Sequence, residues 1–157
     1  YLLGEDNDGN LVVPNTTLRE NTKVWLNRYR MMNDTVDILP GRIINLGIDY
    51  EVLIELDANK FNVLTACTEK IKDKYLNVQP QMGEALYVTD IYKLLNDVPG
   101  VIDTTSVKFV NKFGGAYSDY SYDIPSNMSV DGRYLSIPAD SAAEFLFPDE
   151  NIQGVIK

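Results

Sequence analysis

A run of alternating apolar and polar residues in the first third of the chain sets the first condition on the fold. Its apolar members are Ile44, Leu46, Ile48, Tyr50, Val52, Ile54 and Leu56. A period of two is typical of a β-strand with one buried face and one face in water. At about 3.3 Å per residue such a strand extends about 40 Å, close to the diameter of a compact domain of this length. The strand therefore crosses the whole domain, bends at Gly47, or consists of two pieces.

A helix with two apolar rows is predicted ahead of this strand. The first row recurs at steps of four and three residues and consists of Leu18, Thr22, Trp25, Tyr29 and Met32. Val24 and Met31 form a second, weaker row, and a helix with two such rows usually contacts more than one surface. We expect Thr16 or Thr17 to cap this helix, and residues 33–34 to end it.

Two further helices are predicted after the strand. Asp57 or Asn59 caps the second helix, whose apolar side is formed by Phe61, Leu64, Cys67, Ile71 and Tyr75. Thr89 is the expected cap of the third helix, which carries Ile91, Leu94 and Leu95 and stops at residues 98–100.

The remaining segments are predicted to be extended. Residues 101–110 read as a strand, Gly114 and Gly115 turn the chain, and Asp131-Gly132 marks a hairpin. Residues 145–148 fit a strand better than the helix that a capping box at residues 141–144 would start.

This order of elements predicts an α+β fold: a small mixed sheet with two or three helices on one face, plus C-terminal extended hairpins. Residues 1–16 form a turn-rich N-terminal arm with a short strand at 11–13, and residues 17–157 form a single domain. Because the chain starts at Tyr1 and not at methionine, we expect an excised fragment or a processed product of a longer chain.

Composition narrows the range of functions. The chain has 14 basic and 23 acidic side chains, and its net charge of −9 argues against binding nucleic acid. The absence of histidine removes the usual general base and most zinc and iron sites, while a single cysteine, Cys67, cannot form an internal disulfide. With no apolar run near the roughly 20 residues of a membrane helix, we expect no membrane insertion. No cofactor and no metal site is predicted.

Carboxylates are the acid–base groups that this composition leaves. Asp49, Glu51 and Glu55 share a face of the predicted strand, at a spacing that permits glycoside hydrolysis. A solvated sheet face is the favoured interpretation, because any amphipathic strand offers this spacing. The acidic run at residues 6–10 resembles a calcium loop, but its first and last ligand positions fail, so a solvated turn is expected.

Aromatic residues supply the candidate contact sites. Tyr117, Tyr120 and Tyr122, with Tyr134 further on, form an aromatic-polar cluster that would stack sugars or fill an interface; ordinary strand packing is the favoured interpretation. Trp25 and Tyr29 are most simply core residues, with anchoring of an interface as the second interpretation.

Several stretches taken together resemble a known family. They are residues 25–34 (WLNRYRMMND), 36–39 (VDIL) with the alternating strand, 91–103 (IYKLLNDVPGVID), 137–141 (IPADS) and 144–148 (EFLFP). Their order resembles the C-terminal part of baseplate J-like proteins of contractile phage tails, over roughly residues 17–157. The Val-Pro-Gly-Val turn at 98–101 is the most recognisable element.

The resemblance implies a non-enzymatic virion component of the tail baseplate, made in the host cytoplasm. Such subunits dimerise, join neighbouring wedges into a ring through contacts with other wedge proteins, and transmit the rearrangement that triggers sheath contraction. The family carries no catalytic, cofactor or metal residues to transfer. For the contacts, the hypothesis names either the first helix or the tyrosine segment as the source of the anchors. The candidate interface residues are Trp25, Tyr29, Met32, Tyr117, Tyr120 and Tyr122.

Overall fold

The structure, a computed structural model, describes residues 1–31, 34–77 and 79–157. Its elements in chain order are β1 (Gly4–Glu5), β2 (Leu11–Val12), α1 (Thr16–Leu26), β3 (Arg42–Ile54), α2 (Lys60–Asn77), β4 (Leu86–Tyr87), α3 (Val88–Asn96), β5 (Val101–Lys112), α4 (Ile124–Asn127), β6 (Tyr134–Leu135), β7 (Ser141–Glu144), α5 (Pro148–Asn151) and β8 (Ile152–Ile156). This mixture of helices around a small mixed sheet confirms the predicted α+β class.

Strand β3 organises the sheet. It is a single strand of 13 residues, so the alternative of two separate pieces is wrong. Antiparallel β5 pairs with one edge of β3 over most of its length. On the other edge β7 pairs in parallel with the first part of β3, and β8 pairs in parallel with the second part.

Gly47 of β3 lies opposite the gap between β7 and β8. The last pair of β7 is opposite Asn45, and the first pair of β8 is opposite Ile48, while residues 145–151, including α5, leave the sheet in between. A Cβ atom at Gly47 would lie 2.7 Å from the carbonyl oxygen of Asn151. Glycine is therefore required at position 47 by the close approach of the backbone.

Helices α2 and α3 cover one face of the sheet and form the core with it. The strand side chains on this face are Ile44, Leu46, Ile48, Tyr50 and Val52, none more than 1% exposed. Val63, Cys67, Ile71 and Tyr75 of α2, and Ile91 and Leu95 of α3, are also buried. Tyr50 leans across Gly154 of β8, and its hydroxyl bonds Thr68 Oγ1 at 2.7 Å on α2.

The opposite face of the sheet is covered over only half its length. Ile43 and Asn45, at the start of β3, are buried beneath the N-terminal arm and the segment 113–122. Asp49 is exposed further along the strand, and Leu53 is 40% exposed. The expected pattern of one buried and one solvated face therefore holds for the second half of β3 alone, because segments distant in sequence cover the first half.

The ends of the helices correct several predictions. The side chain of Asn15, and not Thr16 or Thr17, caps α1 by accepting from the backbone N–H of Leu18 at 2.8 Å. The helix then stops at Leu26, earlier than predicted, in a polar stretch where little packing is available to extend it.

For α2 and α3, one predicted cap is confirmed and the other is wrong. Asn59 caps α2 as one alternative predicted, since its side chain accepts from the N–H of Phe61 at 3.0 Å. Phe61 itself is 77% exposed and does not join the core. The predicted cap Thr89 is wrong, because α3 begins at Val88 and has no side-chain cap.

The C-terminal region is extended, as predicted, but its strands lie elsewhere. The strand expected at residues 145–148 is wrong: β7 occupies Ser141–Glu144, and Pro148 begins the short helix α5, where proline is favoured at the first position. The predicted turn at Asp131-Gly132 is confirmed. Gly132 has a φ of +68°, and the N–H of Ser129 donates to the carbonyl of Tyr134 at 2.9 Å.

Candidate functional site

Helix α1 presents an apolar surface to solvent. No residue of this helix is buried. Trp25 is 56% exposed and Tyr29 is 73% exposed, so the interpretation of both as core residues is wrong. Their rings still contact each other, with centroids 4.9 Å apart and an angle of 53° between the ring planes. The two aromatic side chains that were expected in the core form a paired aromatic group on the outside of the domain.

The exposed apolar side chains of α1 and of the residues that follow it make up what we call the α1 surface. It consists of Leu18, Val24, Trp25, Tyr29 and Met31, which are between 49% and 79% exposed. Met32, also a predicted contact residue, lies outside the described residues. Within this surface Trp25 and Tyr29 are in direct contact, and exposed apolar patches mark sites of interaction with other proteins.

Polar contacts orient the α1 surface on the domain. Besides the Asn15 cap, Lys23 Nζ donates to Asp37 Oδ1 at 2.6 Å, tying the helix to the segment that leads into β3. The hydrogen bond and the charge of the partner raise the pKa of Lys23 and lower the pKa of Asp37. Both groups are in solvent, where such pairs contribute little to stability. The helix is thus positioned without having its apolar side chains covered.

The three tyrosines of the segment 113–122 lie in different environments. Tyr117 is half-buried, donates to Asn151 Oδ1 at 2.9 Å and packs edge-on against Phe147. Tyr120 is half-buried beneath the guanidinium of Arg42, which lies 5.1 Å from the ring centroid.

Tyr122 differs from both, because it is only 5% exposed. Its hydroxyl donates to the carbonyl of Ser136, and burial raises its pKa. Strand packing, the favoured interpretation, is wrong for all three tyrosines, because none of them lies in a strand, but Tyr122 does pack inside the domain. It is not available to anchor a partner in this conformation. Tyr134 is separate from this group and packs against Tyr87, with ring centroids 5.9 Å apart.

The three carboxylates considered for hydrolysis do not share one strand face. Glu55 is exposed and lies beyond the end of β3, and two register shifts between β3 and β5 precede it. Asp49 is exposed opposite Lys108 of β5, and Glu51 is half-buried opposite Ser106.

Glu144 is the buried carboxylate that the sequence reasoning did not single out. It is 7% exposed at the end of β7, where its two oxygens accept from the N–H of Leu11 at 2.6 Å and from Asn45 Nδ2 at 2.7 Å. Burial raises the pKa of Glu144, and these two hydrogen bonds oppose that shift. The sequence signal for the burial of Glu144 was weak: this residue follows two alanines, which are buried in the structure.

Among the described residues, no group of three or more histidine, cysteine, aspartate or glutamate side chains is placed to hold a metal ion. In the acidic run of the arm, Asp6 Oδ1 accepts from the N–H groups of Asp8 and Asn10, as in a solvated turn. None of the helices within the described ranges has the length and apolar character needed to cross a membrane.

Comparison with protein-family models finds no family that matches the chain, and comparison with curated proteins finds no match.

Proposed function

We propose that the chain is part of a structural subunit of a contractile phage tail baseplate. In this role it joins wedges into the baseplate ring through protein–protein contacts and takes part in the rearrangement that triggers sheath contraction. The resemblance of residues 17–157 to baseplate J-like proteins supports the proposal, and within that family the likeness is greatest to the wedge protein of T-even phages that forms the inner baseplate ring. The expected partners are a second copy of the subunit and neighbouring wedge proteins.

The observation that carries the proposal is the α1 surface. Tryptophan and tyrosine are enriched among the residues that dominate binding energy at protein interfaces. Trp25 and Tyr29 already contact each other in the free chain, so less side-chain ordering is required when a partner covers them. A typical stable interface buries about 800 Å² on each side. The α1 surface supplies apolar anchors for the centre of such an interface, and the polar side chains around it supply a rim.

Self-association of the chain tests this assignment. The double variant Trp25→Ala/Tyr29→Ala removes one exposed ring from α1 and one from the turn that follows it, so the fold is expected to remain intact. We expect the molar mass from light scattering, measured over a series of concentrations, to fall to that of the monomer. Circular dichroism of the same samples checks that the fold is kept.

A matched control removes two other exposed rings. Phe61 and Phe113 are 77% and 59% exposed and lie outside α1, so Phe61→Ala/Phe113→Ala is expected to associate as the unchanged chain does. Association that survives the Trp25/Tyr29 variant, with the fold intact, would remove α1 from the interface. Loss of association in both double variants would contradict a specific role for α1.

The two alternative functions fit the geometry less well. A glycoside hydrolase needs one carboxyl group in an apolar pocket beside a second one, whereas Asp49 and Glu55 are exposed. A carbohydrate- or receptor-binding module would present all three tyrosines in one open groove. Tyr117 and Tyr120 do line a cavity beside the N-terminal arm, but Tyr122 is buried and the hydroxyl of Tyr117 is already bonded to Asn151.

A further inference from the structure

A chain of hydrogen bonds connects four segments that are far apart in sequence. The backbone N–H of Ser118 donates to Asn45 Oδ1 at 2.7 Å. Asn45 Nδ2 donates in turn to Glu144 Oε2 at 2.7 Å, and the N–H of Leu11 donates to Glu144 Oε1 at 2.6 Å. We call this chain the Glu144–Asn45 relay. It connects the N-terminal arm and the segment 113–122 to each other through the sheet.

Each hydrogen bond of the relay has a defined donor and a defined acceptor. Asn45 uses its oxygen for Ser118 and its amide nitrogen for Glu144, so turning the amide over would break both bonds. Glu144 accepts one hydrogen bond on each oxygen. A glutamine of the same shape would direct an NH₂ group at one of the two donors. The relay therefore depends on an oxygen acceptor at both positions of this side chain.

Few other groups interact with the carboxylate of Glu144. Asn45 is 1% exposed, and Glu144 makes no ion pair with a lysine or arginine among the described residues. Asp6, on the arm, is the charged group that acts on it and opposes its ionisation. Hydrogen bonds to a charged group with few alternatives are stronger than those between neutral groups. Leu11 thus donates directly to the carboxylate, while Ser118 donates to the Asn45 amide that the carboxylate orients.

The arm crosses this region as a strap with open space on both sides. A cavity of about 420 Å³ lies on one side and a cavity of about 610 Å³ on the other, and both are lined by Asn10, Glu144 and Leu146. The larger cavity has the arm as one wall and residues 116–120 as the other. The arm has further attachments at Leu2, bonded to Leu39, and at Gly9, bonded to Gln79. Leu11 is the arm's hydrogen-bonded link to the relay.

We infer that the Glu144–Asn45 relay is a latch that holds the N-terminal arm and the segment 113–122 on the sheet as one unit. When Leu11 leaves, water reaches Glu144 and competes for the amide of Asn45, which then loosens its hold on Ser118. Release of either segment consequently loosens the other and opens the larger cavity. This inference concerns the fold itself and does not depend on the proposed function.

Hydrogen exchange of the full chain tests the coupling from both ends. In Leu11→Pro the arm loses its donor while Glu144 and Asn45 stay intact. We expect exchange in residues 113–122 to accelerate about tenfold, a local opening that leaves the core strands protected. In Glu144→Gln we expect acceleration of similar size both at residues 113–122 and in the arm, with exchange in α2 and β5 unchanged.

Glu150→Gln is the matched control, because it makes the same substitution at an exposed glutamate on α5. It is expected to leave exchange in both segments unchanged. If Leu11→Pro accelerates exchange in the arm alone, the two segments are independent and the latch is wrong. If Glu144→Gln unfolds the chain, Leu11→Pro still decides the outcome, since it alters neither buried relay side chain.

Discussion

Helices α1 and α3 each carry apolar residues at helical spacing, but α3 buries its apolar residues and α1, the more polar of the two, does not. Helix α3, nine residues long, buries Val88, Ile91 and Leu95. Helix α1, eleven residues long, buries none of its side chains. Helical periodicity states that one face of a helix will be covered, and it does not state by what. Where the domain leaves such a face exposed, as at α1, we expect a second molecule to cover it.

The largest expected effect contrasts one leucine from each helix. Leu95→Ala removes a fully buried side chain and should lower the free energy of unfolding by about 2–5 kcal/mol. Leu18→Ala, at a position that is 49% exposed, should change it by less than about 0.5 kcal/mol. Urea unfolding of both variants, at concentrations where the chain is a monomer, measures the difference. Equal losses would mean that α1 packs against the domain as α3 does.

The stability of the chain at alkaline pH tests the burial of its core tyrosines without a mutation. Burial raises the pKa of Tyr50 to about 12, from an unfolded value of 10.0. Between pH 10 and pH 12 the unfolded chain therefore loses this proton while the folded chain keeps it. Stability present below pH 10 should fall by about 2–3 kcal/mol across this window. Burial also raises the pKa of Tyr75, which acts in the same direction.

Urea midpoints measured at intervals from pH 9 to pH 12 check this expectation. Tyr50→Phe is the informative variant, since it removes one of the titrating groups and should reduce the pH dependence, leaving the part due to Tyr75. A stability that rises across the window would contradict the burial of Tyr50.

A smaller effect is expected at the start of α1. Asn15→Ala removes the cap and should destabilise the helix by about 1 kcal/mol. Because no residue of α1 is buried, this loss should appear as faster amide exchange within residues 16–26 and should leave global unfolding nearly unchanged. Asn10→Ala, in the arm, serves as a control that leaves the cap intact. A global loss as large as the local one would show that α1 unfolds together with the core.

The core was predictable from sequence because it depends on local pattern. The alternation from Ile44 to Val52 placed the same side chains inward that the structure buries. The burial of Asn45 on the other face was not predictable, because it depends on Glu144, which is 99 residues away. Polar pairs at such separation leave no periodic signal.

The candidate site was predictable in part for a related reason. Helical periodicity correctly predicted that Trp25 and Tyr29 lie side by side. It did not predict their exposure, because a helix face that the domain buries and one that it leaves exposed have the same sequence pattern. The capping side chain was also missed, since Asn15 precedes two threonines that are nearly as well suited to the position. Neighbouring candidates of similar propensity are separated by tertiary geometry alone.

The central claim, that α1 is covered by a partner, is tested most directly by the fluorescence of Trp25. The chain has one tryptophan, so its emission reports on this surface alone. We expect the emission of a solvated indole in dilute solution, moving to shorter wavelength over the same concentration range in which light scattering shows association. Association with an unchanged emission maximum would contradict the account, because it would place the interface away from α1.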